Sequence, residues 1–217
     1  MNQRTVLTIT GPSCVGKSYL AYLLTQKYPD QFALPKSVTT RSKRTSEDNE
    51  YHFVTADEFT EMIQNKKLME FTVIDDNFYG TSAQEVNNAF SQGKIPILVV
   101  DPKGVRTLQE ISKSSKSFYV FSVFLDESVE LLVQRWLERF KVKLKSNQYC
   151  DIEYMAQRII NTTTKENSWF INYSHLTHKN YYHWSSQVEE VISNIMANIK
   201  QIESADIVDG RPAPVLV

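Results

Sequence analysis

Gly11-Pro12-Ser13-Cys14-Val15-Gly16-Lys17-Ser18 satisfies G-x-x-x-x-G-K-[ST] in full. The flanks supply the context that gives the pattern meaning. Thr5 to Thr10 (TVLTIT) is a β-branched run ending at a glycine and reads as a buried strand. Lys17 to Lys27 carries Leu20, Leu23 and Leu24 at helical spacing. Strand, glycine loop and helix in that order open an α/β fold. Such a loop turns successive backbone N–H groups inward on a polyphosphate. Gly16 permits close approach, Lys17 adds a positive charge, and Ser18 offers a hydroxyl to Mg2+. The helix start adds positive potential.

The chain continues as alternating strands and helices, which favours a parallel sheet. Ser82 and Glu85 have capping-box spacing ahead of Val86, Ala89 and Phe90, and Gly93 ends that helix. Ile95 to Val100 (IPILVV) and Ser117 to Leu125 are apolar runs of buried-strand length. Asp101, at the end of the first, is either a strand-end turn aspartate or a carboxylate holding Mg2+ through water. Asp126 is expected to cap a helix carrying Leu131, Leu132 and Leu137. Phe140 to Cys150 is basic and aperiodic and reads as a mobile loop, and Ile152 to Asn161 returns to helix. Ser186 to Ile202 is an amphipathic helix through Val188, Val191, Ile192, Ile195 and Ile199. Beyond Asp209, Gly210, Pro212 and Pro214 make a loose tail.

Ser37 to Thr81 interrupts that alternation as a small insertion. It opens with a polar stretch lacking helical period, then a capping box at Thr55 and Glu58, a helix through Met62 and Ile63, and a strand from Leu68 to Ile74. Arg41 and Arg44 stand three apart, and guanidinium forks suit bidentate phosphate binding. Tyr51 and Tyr79, the latter beside Gly80, could complete a phosphate cup.

This combination resembles guanylate kinase, whose acceptor region carries TTR, a further arginine, an acidic residue, Tyr-x-Phe, a Glu before an aromatic, and Tyr-Gly-Thr/Ser. With GPSCVGKS, the resemblance runs from about Thr5 to Arg158. It implies a P-loop nucleoside monophosphate kinase fold: α/β, with a parallel five-stranded sheet flanked by helices, a GMP-binding insertion and a lid. Residues 1–36 and 82–203 would form the core, with a lid at about 139–158, the insertion at 37–81 and a loose tail at 204–217. Gly11 to Ser18 would bind ATP, and Ser18 and Asp101 would serve its Mg2+. Arg41, Arg44, Tyr51 and Tyr79 would hold the phosphate of GMP beside Gly80, with Glu47 near this site. Ser37, Glu70 and Thr81 would face guanine, Glu70 accepting from N1–H and the 2-amino group together. Lys17, Arg44, Arg135, Arg139 and Arg158 would stabilise the moving phosphoryl group. Arg135 and Arg139 are four apart and share a helix face, which for Arg135 alone would suit a merely solvated charge.

The sequence departs from the family in four places. Glu47-Asp48-Asn49-Glu50-Tyr51 is shorter than usual and lacks a glycine. The family's Asp-x-Asp before a Gln-Gly turn is reduced to Val99-Val100-Asp101, followed by Pro102-Lys103-Gly104. The lid from Phe140 to Asp151 is longer, and the late Val-x-Asn-Asp is not recognisable in His175 to Asn180.

Composition excludes some alternatives. With 24 basic and 25 acidic residues, the net charge of -1 provides no global field for nucleic acid or membrane. Cys14 and Cys150 fit no metal spacing, and a disulfide at Cys14 would disrupt the loop, so a reducing, cytoplasmic setting is expected. His52, His175, His178 and His183 show no metal spacing. The last three lie with Tyr173, Tyr181, Tyr182 and Trp184 in a stretch expected to pack under the last helix, while Trp136 and Trp169 read as core. No run is long and apolar enough to span a bilayer. The expected reaction is Mg2+-dependent transfer from ATP to GMP, and to dGMP, with these nucleotides as the only partners. Monomer and homodimer both stay open. Two other readings remain: a kinase for another (deoxy)nucleoside monophosphate, favoured by Val99, and a non-catalytic guanylate-kinase-like binding module, disfavoured by Lys17, Arg135 and Arg158.

Overall fold

A computed structural model describes residues 4–43, 51–145, 152–166, 168–169, 179–181 and 187–205. Arg44, Glu47, Cys150, His175, His178, His183, Tyr173, Tyr182, Trp184 and the tail beyond 205 lie outside the described residues. Nine strands assemble into two sheets among the described residues, of order β2-β7-β1-β8-β9 and β4-β3-β6-β5. By density of contacts the chain divides into two units, Met1–Thr8 with Ala21–Phe121 and Ile9–Leu20 with Ser122–Val217. Strand β1 (Thr5–Thr10) and helix α1 (Lys17–Lys27) have the bounds expected from their periodicity.

In the first unit, β2 (Phe32–Ala33) runs parallel to β7 (Ile95–Val99). The four-stranded sheet combines β3 (Ser37–Thr39), β4 (Tyr51–Phe53), β5 (Leu68–Ile74) and β6 (Asn77–Ser82). Strand β3 lies parallel to β4 and antiparallel to β6, and β5 is antiparallel to β6. The β5–β6 hairpin closes through Asp75 and Asp76, with φ of 49° and 59°. Two central residues at positive φ match the right-handed twist of a hairpin, and Asp tolerates that region. Helix α2 (Ala56–Gln64) begins with the expected capping box, in which Thr55 and Glu58 satisfy each other's backbone N–H. It buries Phe59 against Phe71 and Phe78, at ring distances of 6.4 Å and 5.2 Å.

Helix α3 (Ala83–Ser91) has only half the expected box. Ser82 accepts from the Glu85 N–H, whereas the Glu85 carboxylate lies 3.6 Å from His52. Helix α4 (Pro102–Ser115) buries Val105 and Leu108 on one face, and its start is written in the sequence: Asp101 caps it and Pro102 takes the first turn, where its missing N–H costs nothing.

Strand β8 (Tyr119–Leu125), which enters the second unit at Ser122, leads to α5 (Val129–Lys145). The cap of α5 is Ser128, whose hydroxyl accepts from Leu131 N–H at 3.3 Å. Asp126 is not the cap; it accepts from its neighbour Glu127 N–H at 2.9 Å, too early in the chain to reach the helix's third residue. The loop expected from Phe140 is helical to Lys145, because Phe140 is buried and stacks on Trp136 one turn earlier, 5.1 Å between ring centroids. Helix α6 (Ile152–Asn161) has the expected bounds and runs into a π-helical turn at Thr162–Glu166. Strand β9 (Lys179–Tyr181) pairs parallel to β8. Helix α7 (Val188–Ala205) buries Val191, Ile192, Ile195 and Ile199, the stripe its period forecasts.

Candidate active site

The phosphate loop is locked in shape by backbone geometry. Gly11 has φ +144°, and a Cβ there would lie 2.2 Å from the Leu125 carbonyl oxygen, so only glycine fits. Gly16 has φ 108°. Lys17 Nζ donates to the carbonyls of Gly11 at 2.8 Å and Pro12 at 2.9 Å, folding the cation back over the loop. Ser18 is exposed in the first turn of α1. Cys14 adopts φ 63°. Burial pushes its thiol up from the usual range, against the opposing pull of Arg139, Lys17 and Arg158.

The three expected lid arginines converge on this loop. Arg135 donates to the carbonyls of Cys14 at 3.2 Å and Val15 at 2.9 Å, and lies 3.5 Å from the buried Glu127. The merely solvated reading of Arg135 therefore fails. Arg158, on α6, donates to Ser13 Oγ at 2.8 Å. Arg139 and Arg158 each lie 5.3 Å from the Trp136 ring centroid. Trp136 Nε1 in turn donates to Thr162 Oγ1 at 2.9 Å. Trp136 is core as expected, whereas Trp169 is half-buried.

The acceptor residues are assembled by strand register. Ser37 pairs with both Tyr51 and Thr81, and Thr81 pairs with Glu70. The β5–β6 register shifts between Leu68 and Glu70, so that β5 carries one extra residue there. Glu70 is buried at 6% exposure, while its apolar neighbour Phe71 is 40% exposed. Thr81 Oγ1 donates to Glu70 Oε1 at 2.5 Å. Burial, reinforced by the Asp101 carboxylate, pushes the Glu70 carboxyl up to about 7, although the Thr81 bond and Lys103 oppose this. Gly104 leaves room for it: a Cβ there would meet Glu70 Oε2 at 2.9 Å. A Cβ at Gly80 would press on Leu68, Phe59 and the Glu70 carbonyl at 3.0–3.2 Å.

Three of the residues expected at the acceptor phosphate lie together. The Tyr51 and Tyr79 rings meet edge-on at 5.9 Å. The Arg41 guanidinium carbon lies 5.2 Å from the Tyr51 ring centroid and 5.3 Å from that of Phe53. Asp101 is placed as the turn aspartate. Its Oδ1 accepts from Gly104 N–H at 2.7 Å and its Oδ2 from Thr72 Oγ1 at 2.8 Å. Each oxygen thus carries one hydrogen bond and keeps a further lone pair. Sequence reasoning missed Glu127, Glu166, Thr72 and Gly104, which meet Arg135, Ser13, Asp101 and Glu70 through space, and Thr162, which bonds Trp136 beneath Arg139 and Arg158.

Comparison with known proteins gives the family of the chain. The family model described as guanylate kinase matches residues 3–159. The guanylate kinase of Mycoplasmopsis pulmonis is 35% identical over 142 residues, covering 64% of this chain and 72% of that protein. The guanylate kinase of Helicobacter hepaticus is 33% identical over 177 residues, covering 76% and 88%. The crystal structure of guanylate kinase from Anaplasma phagocytophilum superposes with a TM-score of 0.64 at 20% identity, covering 94% of this chain and 88% of that one. The chain belongs to the guanylate kinase family of nucleoside monophosphate kinases.

Proposed function

We propose that the chain phosphorylates GMP, and dGMP, with ATP and Mg2+ by direct in-line transfer. The observation that carries this reading is Glu70, a buried carboxylate set between Thr81 and Asp101. Ionised, it accepts from the N1–H and 2-amino donors of guanine together. Adenine offers neither donor at that edge and would leave the buried charge unpaired. Ser37 and Thr81 line the same sheet beside it. Arg41, Tyr51 and Tyr79 serve the acceptor phosphate, and Arg44 and Glu47 are assigned to it from the sequence alone. Residues 37–81 form the acceptor-binding insertion, and residues about 139–158 the lid.

Gly11 to Ser18 cradle the donor polyphosphate. The exposed Ser18 hydroxyl suits Mg2+, an ion that keeps several waters and takes few protein ligands alongside phosphate oxygens. The metal would neutralise charge across the β- and γ-phosphates. Lys17 leaves its loop carbonyls for the transferring group, and Arg135, Arg139 and Arg158 surround the developing charge. An acceptor phosphate oxygen attacks the γ-phosphorus, the bond to the β–γ bridging oxygen breaks, and ADP departs. No covalent enzyme intermediate is needed. Among the described residues no helix is long and apolar enough to cross a membrane, and a cytoplasmic setting suits the thiol in the loop.

The test is a coupled ADP-release assay with ATP and Mg2+ across the common nucleoside and deoxynucleoside monophosphates. GMP and dGMP should dominate kcat/KM. A pyrimidine or AMP in first place would establish the other nucleotide kinase, which the loss of the family's aspartate at Val99 favours. No turnover with any acceptor would establish a binding module.

A further inference from the structure

Glu166 is a buried carboxylate, 7% exposed, that lies outside the donor and acceptor roles assigned above. Its Oε2 accepts from the Ser13 backbone N–H at 2.6 Å, across 153 residues of sequence. Its Oε1 lies 3.7 Å from Arg158 Nη2, and that same nitrogen donates to Ser13 Oγ. Carboxylate, guanidinium and loop residue therefore close a triangle. Thr162 Oγ1, which receives the Trp136 indole N–H, is 3.5 Å from Glu166 Oε2.

The backbone explains how the triangle forms. Residues eight apart on a regular α-helix differ by about 80° around the axis, whereas residues seven apart differ by about 20°. A π turn absorbs one extra residue. The turn at Thr162–Glu166 thus brings Glu166 back toward the face of Arg158. Threonine hydroxyls bond the carbonyls of the preceding turn: Thr163 donates to Ile159 O at 2.9 Å, and Thr164 to Ile160 O at 2.7 Å. A carboxylate this buried is tolerated only with charge-assisted partners, and Ser13 N–H and Arg158 are those partners.

We propose that Glu166 is a positioning residue for phosphoryl transfer. It fixes the Ser13 N–H in the bend of the phosphate loop and holds the Arg158 guanidinium against that loop, so both are aimed before the donor arrives. Electrostatic catalysis depends on such advance orientation, because groups that must reorganise during the reaction lose much of their effect. The inference rests on the reading of Gly11 to Ser18 as the donor site.

The test compares Glu166→Gln and Glu166→Ala by thermal unfolding, equilibrium binding of ADP, and steady-state kinetics with ATP and GMP. Glutamine keeps an oxygen for Ser13 N–H but loses the charge facing Arg158. It should lower kcat by about tenfold and leave ADP binding within about twofold of the parent. Alanine removes both contacts and should lower kcat by about a hundredfold and weaken ADP binding by about tenfold. KM for GMP should hold in both, because the acceptor sheet is untouched. If the alanine variant does not fold, the near-isosteric glutamine variant decides through its split between kcat and ADP affinity. Parental kcat in folded variants, or a loss confined to the unfolding temperature, overturns the proposal. Tighter ADP binding by Glu166→Ala also overturns it, by making the carboxylate a competitor of the donor phosphate. Lys17→Ala is the control: if it too turns over normally, the donor-site reading fails, whereas a crippled Lys17→Ala beside normal Glu166 variants removes this inference alone.

Discussion

The glycine loop at Gly11–Ser18 and the four-stranded sheet, proposed as the donor and acceptor sites, are built in opposite ways. The loop is eight consecutive residues, yet its supports arrive from far along the chain: Arg135, Arg158 and Glu166 all bond it across more than a hundred positions. The acceptor residues are scattered from Ser37 to Thr81, yet they become neighbours through the short-range rules of strand pairing. A contiguous motif can be read directly while its supports stay hidden. A registered sheet hides its site until the pairing is known, and then explains each neighbour.

The sharpest break between the two regions should come from Lys17→Ala. Removing the donor-loop cation should lower kcat by at least about a hundredfold while GMP binding, measured by calorimetry, stays near its original strength. Equal losses in both would mean that the two regions are not functionally separable.

The converse change is Glu70→Gln. It should lower kcat/KM for GMP by on the order of 2 kcal/mol, the scale of one charged hydrogen-bonding partner, and leave ADP binding alone. IMP, which keeps N1–H but lacks the 2-amino group, should fall between GMP and AMP in the parent protein. A variant that handles GMP as well as the parent would remove the guanine reading.

A smaller effect follows from the Glu70 carboxyl, raised from 4.5 to about 7. A carboxyl whose folded value lies above its unfolded value favours folding while protonated. That stability is fully present below about 4.5 and is lost as pH rises through about 7. The ligand-free protein should therefore lose stability across that window, and Glu70→Gln should flatten the slope. Guanine needs the ionised form, so GMP affinity should rise roughly tenfold between about pH 6 and pH 8 beyond the change contributed by the nucleotide phosphate itself. The difference between parent and Glu70→Gln isolates the carboxyl, and identical pH profiles for the two would rule it out.

The smallest effect is at the start of α5. Ser128→Ala should cost about 1 kcal/mol in chemical unfolding, while Asp126→Ala should leave the α5 cap intact. The reverse order would restore Asp126 as the cap.

What the sequence disclosed follows from the range of the forces involved. Strand β1, helices α1 and α6, and the capping box of α2 depend on neighbours within a few residues, and their bounds agree with the reading. The buried stripe of α7 agrees for the same reason. Strands β2, β3, β4 and β9 are two or three residues long, too short to display alternation, and exist because a partner strand is present. The first part of the loop expected from Phe140, as far as Lys145, is helix, with a Trp–Phe stack that a hydrophobic count does not weigh. The pairing of Glu70 with Thr81 comes after a register shift at the preceding residues, and the approach of Glu166 to Arg158 after a π turn. Both are insertions of one residue into a regular element, and neither leaves a signature in residue type alone.

Trp136 gives the donor region an optical readout of its own. Its indole is 5% exposed, stacked on Phe140, and flanked by the Arg139 and Arg158 guanidinium groups. An indole shielded from water emits toward the blue, and nearby cations shift its excited state through their field. Whenever a phosphate draws either arginine away from the ring, the emission should change in wavelength or yield. Donor occupancy can then be followed by tryptophan fluorescence in unlabelled protein, with Trp136→Phe giving the contribution of Trp169 and Trp184 to be subtracted.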